Sequence, residues 1–162
     1  YGGVDQRKIF MFAREHLPKL GYHSRIEFMT PLVPGLIGKK MSASDPKSKI
    51  DLLDDPQTVQ EKIRGAYCEE GIVEDNGVLA FLKNVIFTLK ADHQEPFIIE
   101  RPAKYGGNLQ FTSYEELENL YVQKQLHPLD LKNAVACEIN LLLSPFQKNK
   151  EKLEKLAQKG YS

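Results

Sequence analysis

The chain has 162 residues, with 22 Lys plus Arg against 22 Asp plus Glu, a formal net charge of zero, and 41% hydrophobic and 27% charged residues. These proportions suit a packed core in one domain or one and a half, and exclude both a disordered charged tail and histone-like electrostatics. No apolar run approaches the roughly 18 residues of a membrane span, and Cys68 and Cys137 stand in no metal-ligand or redox spacing, which fits a reducing compartment.

The opening Tyr1-Gly2-Gly3-Val4-Asp5 has neither an initiator Met nor a signal pattern, and reads as an internal piece of a longer protein. Ile9, Phe12, Ala13 and Leu17 recur at helical spacing across residues 5–20, and Pro18 and Gly21 end that helix. Arg25 to Met29 alternates like a short strand, so the start reads as the last part of an α/β unit. Pro31, Pro34, Gly35 and Gly38 break regular structure over 31–49, a cationic Lys/Ser loop of a length that is usually functional. Asp55-Pro56 predicts a capped helix to about Tyr67. Asn76-Gly77 opens another, with Val78, Phe81, Leu82, Val85, Ile86 and Leu89 on one face. Residues 96–100 and 108–111 are short strands joined through a Tyr105-Gly106-Gly107 turn. Ser113 and Glu116 form a capping box for a helix to about Leu126. Pro128 begins a long helix with Leu131, Val135, Ile139 and Leu142 as its stripe, broken or kinked at Pro145, with Leu153 and Leu156 in a terminal segment. The predicted boundary separates residues 1–50 from 51–162.

Lys40-Met41-Ser42-Ala43-Ser44 carries the most chemistry. A lysine and two hydroxyls on a loop can fold over a polyphosphate and neutralise charge that grows during displacement at phosphorus. A solvated Lys/Ser loop is the bland alternative, and for five residues alone it is favoured.

The motif resembles the Lys-Met-Ser-Lys-Ser signature of class I aminoacyl-tRNA synthetases. Gly2-Gly3-Val4-Asp5-Gln6-Arg7-Lys8-Ile9 resembles a segment of tyrosyl-tRNA synthetases of the archaeal/eukaryotic type. Further likeness to that family comes, in order, from Ala66-Tyr67-Cys68, Asn76-Gly77, Arg101-Pro102, Lys104-Tyr105-Gly106-Gly107-Asn108, Ser113 to Leu117 and His127-Pro128-Leu129-Asp130. Ala43 departs from the signature, and Lys-Met-Ser-Ala-Ser-Asp is similar to the form in tryptophanyl enzymes.

The resemblance implies an α/β remnant of a Rossmann-type nucleotide-binding fold followed by a mostly α-helical anticodon-binding domain, the C-terminal part of a tyrosine–tRNA ligase. It implies that Lys40, Ser42 and Ser44 act on the phosphates, with Lys39 and Met41 beside them, and that Leu32 and Val33 frame adenine. Gly3 would let the adenylate approach, Asp5 would accept from ribose hydroxyls, and Gln6 would line the tyrosine pocket. Arg7 and Lys8 would lie near the tRNA acceptor end. Tyr105 would stack on the first anticodon base, Asp130 would read it as guanine, and His127 would shape the same turn. Without the resemblance, Asp5 reads as a helix cap, Gln6 as a solvated first-turn residue, Tyr105 as a turn aromatic and Asp130 as a helix-dipole residue.

The implied ligands are tyrosine, tRNA(Tyr) and ATP with Mg²⁺, with no permanent cofactor or bound metal. The implied protein is a cytoplasmic homodimer in its full-length form, with no membrane or DNA partner. The His-Ile-Gly-His signature has no match here, so residues 1–162 alone are expected not to form the adenylate, and the first segment is expected to bury its apolar strand edge poorly. A tryptophanyl-tRNA synthetase fragment and a non-catalytic tRNA-binding module are the alternatives.

Overall fold

The computed structural model describes residues 1–37, 41 and 45–160. The chain divides into two compact units, Tyr1–Val33 and Pro34–Ser162.

In the first unit, β1 (Gly2–Gly3) pairs parallel with β2 (Met29–Thr30), Gly2 opposite Met29 and Gly3 opposite Thr30. The Gly2 N–H also donates to the Phe28 carbonyl at 3.1 Å. Between the strands run a 3₁₀ turn (Val4–Gln6), α1 (Arg7–His16) and a second 3₁₀ turn (Pro18–Leu20) that closes at Gly21, φ 84°. Parallel strands need such a crossover, so the unit is one strand–helix–strand step of an α/β layer. The helix is shorter than the predicted 5–20 because Asp5 and Gln6 are taken into the 3₁₀ turn and Pro18 starts another. The strand lies at 29–30 rather than 25–29. Ile26 is 98% exposed, so the alternation around it lays no face on a core.

The second unit is mostly helical. The Asp55 carboxylate accepts from the Thr58 N–H at 2.8 Å and starts α2 (Pro56–Gly65). The Asn76 side chain accepts from Leu79 N–H at 3.1 Å and starts a continuous helical run: α3 (Gly77–Phe81), a π-helical turn (Leu82–Ile86) and α4 (Phe87–His93). A hairpin follows, β3 (Phe97–Ile99) antiparallel to β4 (Leu109–Phe111), with Phe97 opposite Phe111. α5 (Tyr114–Val122) begins at Ser113, whose Oγ accepts from Glu116 N–H at 3.4 Å, while the Glu116 carboxylate accepts from Thr112 N–H at 3.1 Å.

The helix ends short of the predicted Leu126. Lys124 takes φ 58°, a left-handed conformation that closes helices. Leu126 is buried beyond the helix and so extends the apolar pattern without extending the structure. α6 (Pro128–Gln147) runs through Pro145, which lies in the helix's final turns and does not break it. Leu143 completes the buried stripe of Leu131, Val135 and Ile139, and Leu142 stays 38% exposed. α7 (Lys150–Gly160) closes the chain.

The core joins α2 and α6 with the α3–α4 run, the hairpin and α5. Val59, Ile63, Leu82, Phe97, Leu117 and Leu131 are among its fully buried side chains. The segment after Val33 belongs to this core. Leu36 is buried, its N–H donates to the Ser48 carbonyl at 2.9 Å, and its carbonyl accepts from Tyr67 N–H at 2.6 Å. The compact units therefore divide before the boundary expected at 50/51.

Candidate functional site

In the first unit, Gly3 is the point on which the predicted adenylate residues converge. A Cβ at Gly3 would lie 2.5 Å from Asp5 Oδ1 and 3.2 Å from Leu32 Cδ2, so only glycine leaves both side chains where they are. Gln6 Nε2 donates to Asp5 Oδ2 at 3.0 Å. The structure thus gathers four predicted residues, Gly3, Asp5, Gln6 and Leu32, at the carboxyl end of β1, the edge where open α/β layers receive ligands. The helix-cap explanation of Asp5 fails here. Neither Gly3 before the 3₁₀ turn nor Gln6 before α1 makes a side-chain cap, and among the described residues the Asp5 carboxylate accepts from the Gln6 amide. Asp5 and Gln6 are exposed, Val33 is half-buried, and Arg7 and Lys8 form the exposed first turn of α1.

Lys39, Lys40, Ser42 and Ser44 lie outside the described residues; Met41 is 44% exposed. The flanks of that stretch are anchored within the second unit. Asp45 caps the 3₁₀ turn Pro46–Ser48, accepting from Lys47 N–H at 3.0 Å. Lys49 meets Asp51 at 2.6 Å and Lys62 meets Asp54 at 2.6 Å. On the other flank, a Cβ at Gly77 would lie 2.4 Å from the Gly35 carbonyl oxygen.

Elsewhere in the second unit, Tyr105 ends a 3₁₀ turn (Ala103–Tyr105) on the β3–β4 connection and is 61% exposed. That connection is held from within. Arg101 N–H donates to Asn108 Oδ1 at 3.0 Å, Arg101 Nε donates to the Gly107 carbonyl at 2.9 Å, and Gly106 and Gly107 take φ 95° and 72°. Lys104 Nζ stands 4.8 Å from the Tyr105 ring centroid, a cation–π contact that leaves the ring open to solvent. Asp130 sits half-buried in the first turn of α6. The His127 ring Nδ1 accepts from Leu129 N–H at 3.1 Å, so His127 is the cap of α6 and shapes that turn. No hydrogen bond joins Tyr105 to Asp130 among the described residues; they stand on separate elements.

Sequence reasoning gave no role to Arg101, which holds the connection through Asn108 and Gly107, or to Lys104, which stands over the Tyr105 ring. Their adjacency to an aromatic turn was the available signal. Among the described residues no cluster of three or more His, Cys, Asp or Glu could hold a metal ion, and no helix is long and apolar enough to cross a membrane.

Comparison with known proteins adds to this geometry. The family described as "tRNA synthetases class I (W and Y)" matches residues 1–144. The chain is 50% identical to the cytoplasmic tyrosine–tRNA ligase of Gallus gallus over 99% of its own length and 30% of that protein's. The crystal structure of the tyrosyl-tRNA synthetase of Archaeoglobus fulgidus complexed with L-tyrosine superposes with a TM-score of 0.83 and 46% identity, covering 91% of this chain and 44% of the other. A tryptophanyl-tRNA synthetase from Giardia lamblia shares the fold at a TM-score of 0.63 and 23% identity, over 93% of this chain and 35% of its own. The chain thus spans less than half the length of these relatives.

Proposed function

The chain belongs to the class I tRNA synthetases of the tryptophan and tyrosine group, and from that premise we propose that it is the C-terminal part of the catalytic domain and the anticodon-binding domain of a tyrosine–tRNA ligase. The observation that carries the choice of tyrosine is the 50% identity to a tyrosine–tRNA ligase over 99% of the chain.

In this reading residues 1–50 complete a site for tyrosine and ATP. Gly3 admits the adenylate against the backbone, the Asp5 carboxylate takes the ribose hydroxyls, and Gln6 turns its amide toward tyrosine. Leu32 and Val33 frame adenine. Lys40, Ser42 and Ser44, with Lys39 and Met41 beside them, hold the phosphates as tyrosine attacks the α-phosphorus and pyrophosphate leaves. No covalent enzyme intermediate is needed; positioning and charge stabilisation lower the barrier. Mg²⁺ enters with ATP. Arg7 and Lys8 meet the acceptor end of tRNA(Tyr). Residues 51–162 read the anticodon: Tyr105 stacks on the first base, Asp130 accepts from the N–H donors of guanine, and His127 fixes the turn carrying Asp130. The ligase works in the cytoplasm as a homodimer.

Amino-acid-dependent ATP–pyrophosphate exchange by the complete native polypeptide tests this. Exchange should depend on tyrosine, and Lys40→Ala should lower it on the order of 100-fold or more, as for loss of a group stabilising transition-state charge, while leaving tRNA affinity nearly intact. Dependence on tryptophan would support the reading suggested by Ala43. Unchanged exchange in Lys40→Ala would remove the phosphate role of the loop.

A further inference from the structure

Between residues 148 and 160 the chain carries five lysines against Glu151 and Glu154 and no aromatic residue, so the rest of this neutral chain is net negative. The lysines are not scattered. Lys152, Lys155 and Lys159 recur at helical spacing and share one face of α7 over roughly 10 Å, about one charge per turn, while Lys148 precedes the helix. Lys152, Lys155 and Lys159 line a single shallow depression with Glu151 and Leu156. Lys148, Lys152 and Lys155 are exposed, and no ion pair engages them among the described residues. Lys150 falls on the opposite side of the helix. It lies near Asp55, whose carboxyl is held below its usual range by the Thr58 N–H first and by the Lys150 charge as well.

Like charges three and four residues apart destabilise an isolated helix by a few tenths of a kcal/mol per pair. A row of them is stabilised by an evenly spaced polyanion. We propose that the lysine face of α7 grips the sugar–phosphate backbone of tRNA, apart from the residues assigned to base reading at 105 and 130. The inference rests on the tRNA ligase reading above. Lysine ammonium groups are point charges without the bidentate fork of arginine, so they neutralise phosphates without reading sequence. The face carries no aromatic residue and only Leu156 as an apolar neighbour, which lacks the insertion surface of a membrane-binding helix.

The test is binding of the full chain to tRNA(Tyr) transcript across about 50 to 200 mM salt. The K152Q/K155Q/K159Q variant should bind more weakly, and its slope of log affinity against log salt should be shallower by about 2–3, one phosphate contact per lysine. The matching Lys→Arg variant should keep both affinity and slope. Tyr105→Ala should weaken binding with the slope unchanged, and far-UV circular dichroism should report the same helicity throughout. A Gln variant with unchanged affinity and slope would overturn the proposal, as would weakened binding at an unchanged slope. Loss of binding to anionic vesicles with tRNA binding intact would overturn it in favour of a membrane surface. If the unsubstituted chain bound no tRNA(Tyr) at all, the ligase reading would fall and this inference with it.

Discussion

Ile9, Phe12, Ile26 and Phe28 of the first unit are 63%, 64%, 98% and 66% exposed, whereas Val59, Val78, Leu82, Phe97, Leu117 and Leu131 of the second are fully buried. No residue from Tyr1 to Val33 is buried. The first unit takes its shape from a short parallel pair, local helix and the close approach permitted by Gly3. The second takes its shape from a packed apolar core. The contrast separates two uses of the same chemistry. Where packing fixes the backbone, a substitution is felt as lost stability. Where a few polar groups meet at a sheet edge, it is felt as lost function with little change in folding.

The largest expected effect is in the core. Leu131→Ala should destabilise the second unit by about 2–5 kcal/mol through lost burial and the cavity left behind. Ile26→Ala should stay within about 0.5 kcal/mol, because that side chain is already in water. Urea unfolding of both variants measures the difference; equal midpoints would erase the distinction between the units. Next comes Gly77→Ala. Its Cβ would run into the Gly35 backbone, which has no side chain to swing away, and overpacking of this kind costs about 1–3 kcal/mol. Asn76→Ala should cost about 1–2 kcal/mol in the same unfolding assay. It removes the cap on Leu79 together with a buried amide that donates to the Ile72 carbonyl at 3.1 Å.

The smallest effect is a pH dependence. The Asp55 carboxyl is held below its ordinary value, chiefly by the Thr58 N–H. Its contribution to α2 is therefore complete above its unfolded value and fades as pH falls through the lower folded one. Thermal melts from about pH 5 downward should show a steeper loss for the native chain than for Asp55→Asn, which does not titrate. Parallel curves would show that the cap carries no charge-dependent stability.

Legibility in the sequence followed the range of the forces involved. Asp55, Asn76 and Ser113 cap helices as expected because a cap is decided within four residues. The hairpin and its Gly106-Gly107 turn were equally local. Apolar periodicity misled wherever burial outran helix, as at Leu126, or where alternation faced solvent, as at Arg25 to Met29. The π-helical turn at Leu82–Ile86 leaves the apolar pattern unchanged and so left no trace in it. At the candidate site a resemblance named the residues, but the meeting of Asp5 and Leu32 at Gly3 was not legible. It depends on where Leu32 returns beside β1, which the pairing of Gly3 with Thr30 brings about. The assignment of His127 to the cap of α6 was likewise hidden, because histidine is an uncommon cap.

Gly3→Ala in the complete native polypeptide addresses the central claim most directly. The added Cβ would meet the Asp5 carboxylate, a side chain that can swing aside, so the urea midpoint should hold. Tyrosine-dependent ATP–pyrophosphate exchange should nevertheless fall on the order of 100-fold, the scale of a 1 Å misplacement in a reacting assembly. Exchange at the unsubstituted rate would contradict the account, because Gly3 would then be no part of the adenylate's seat.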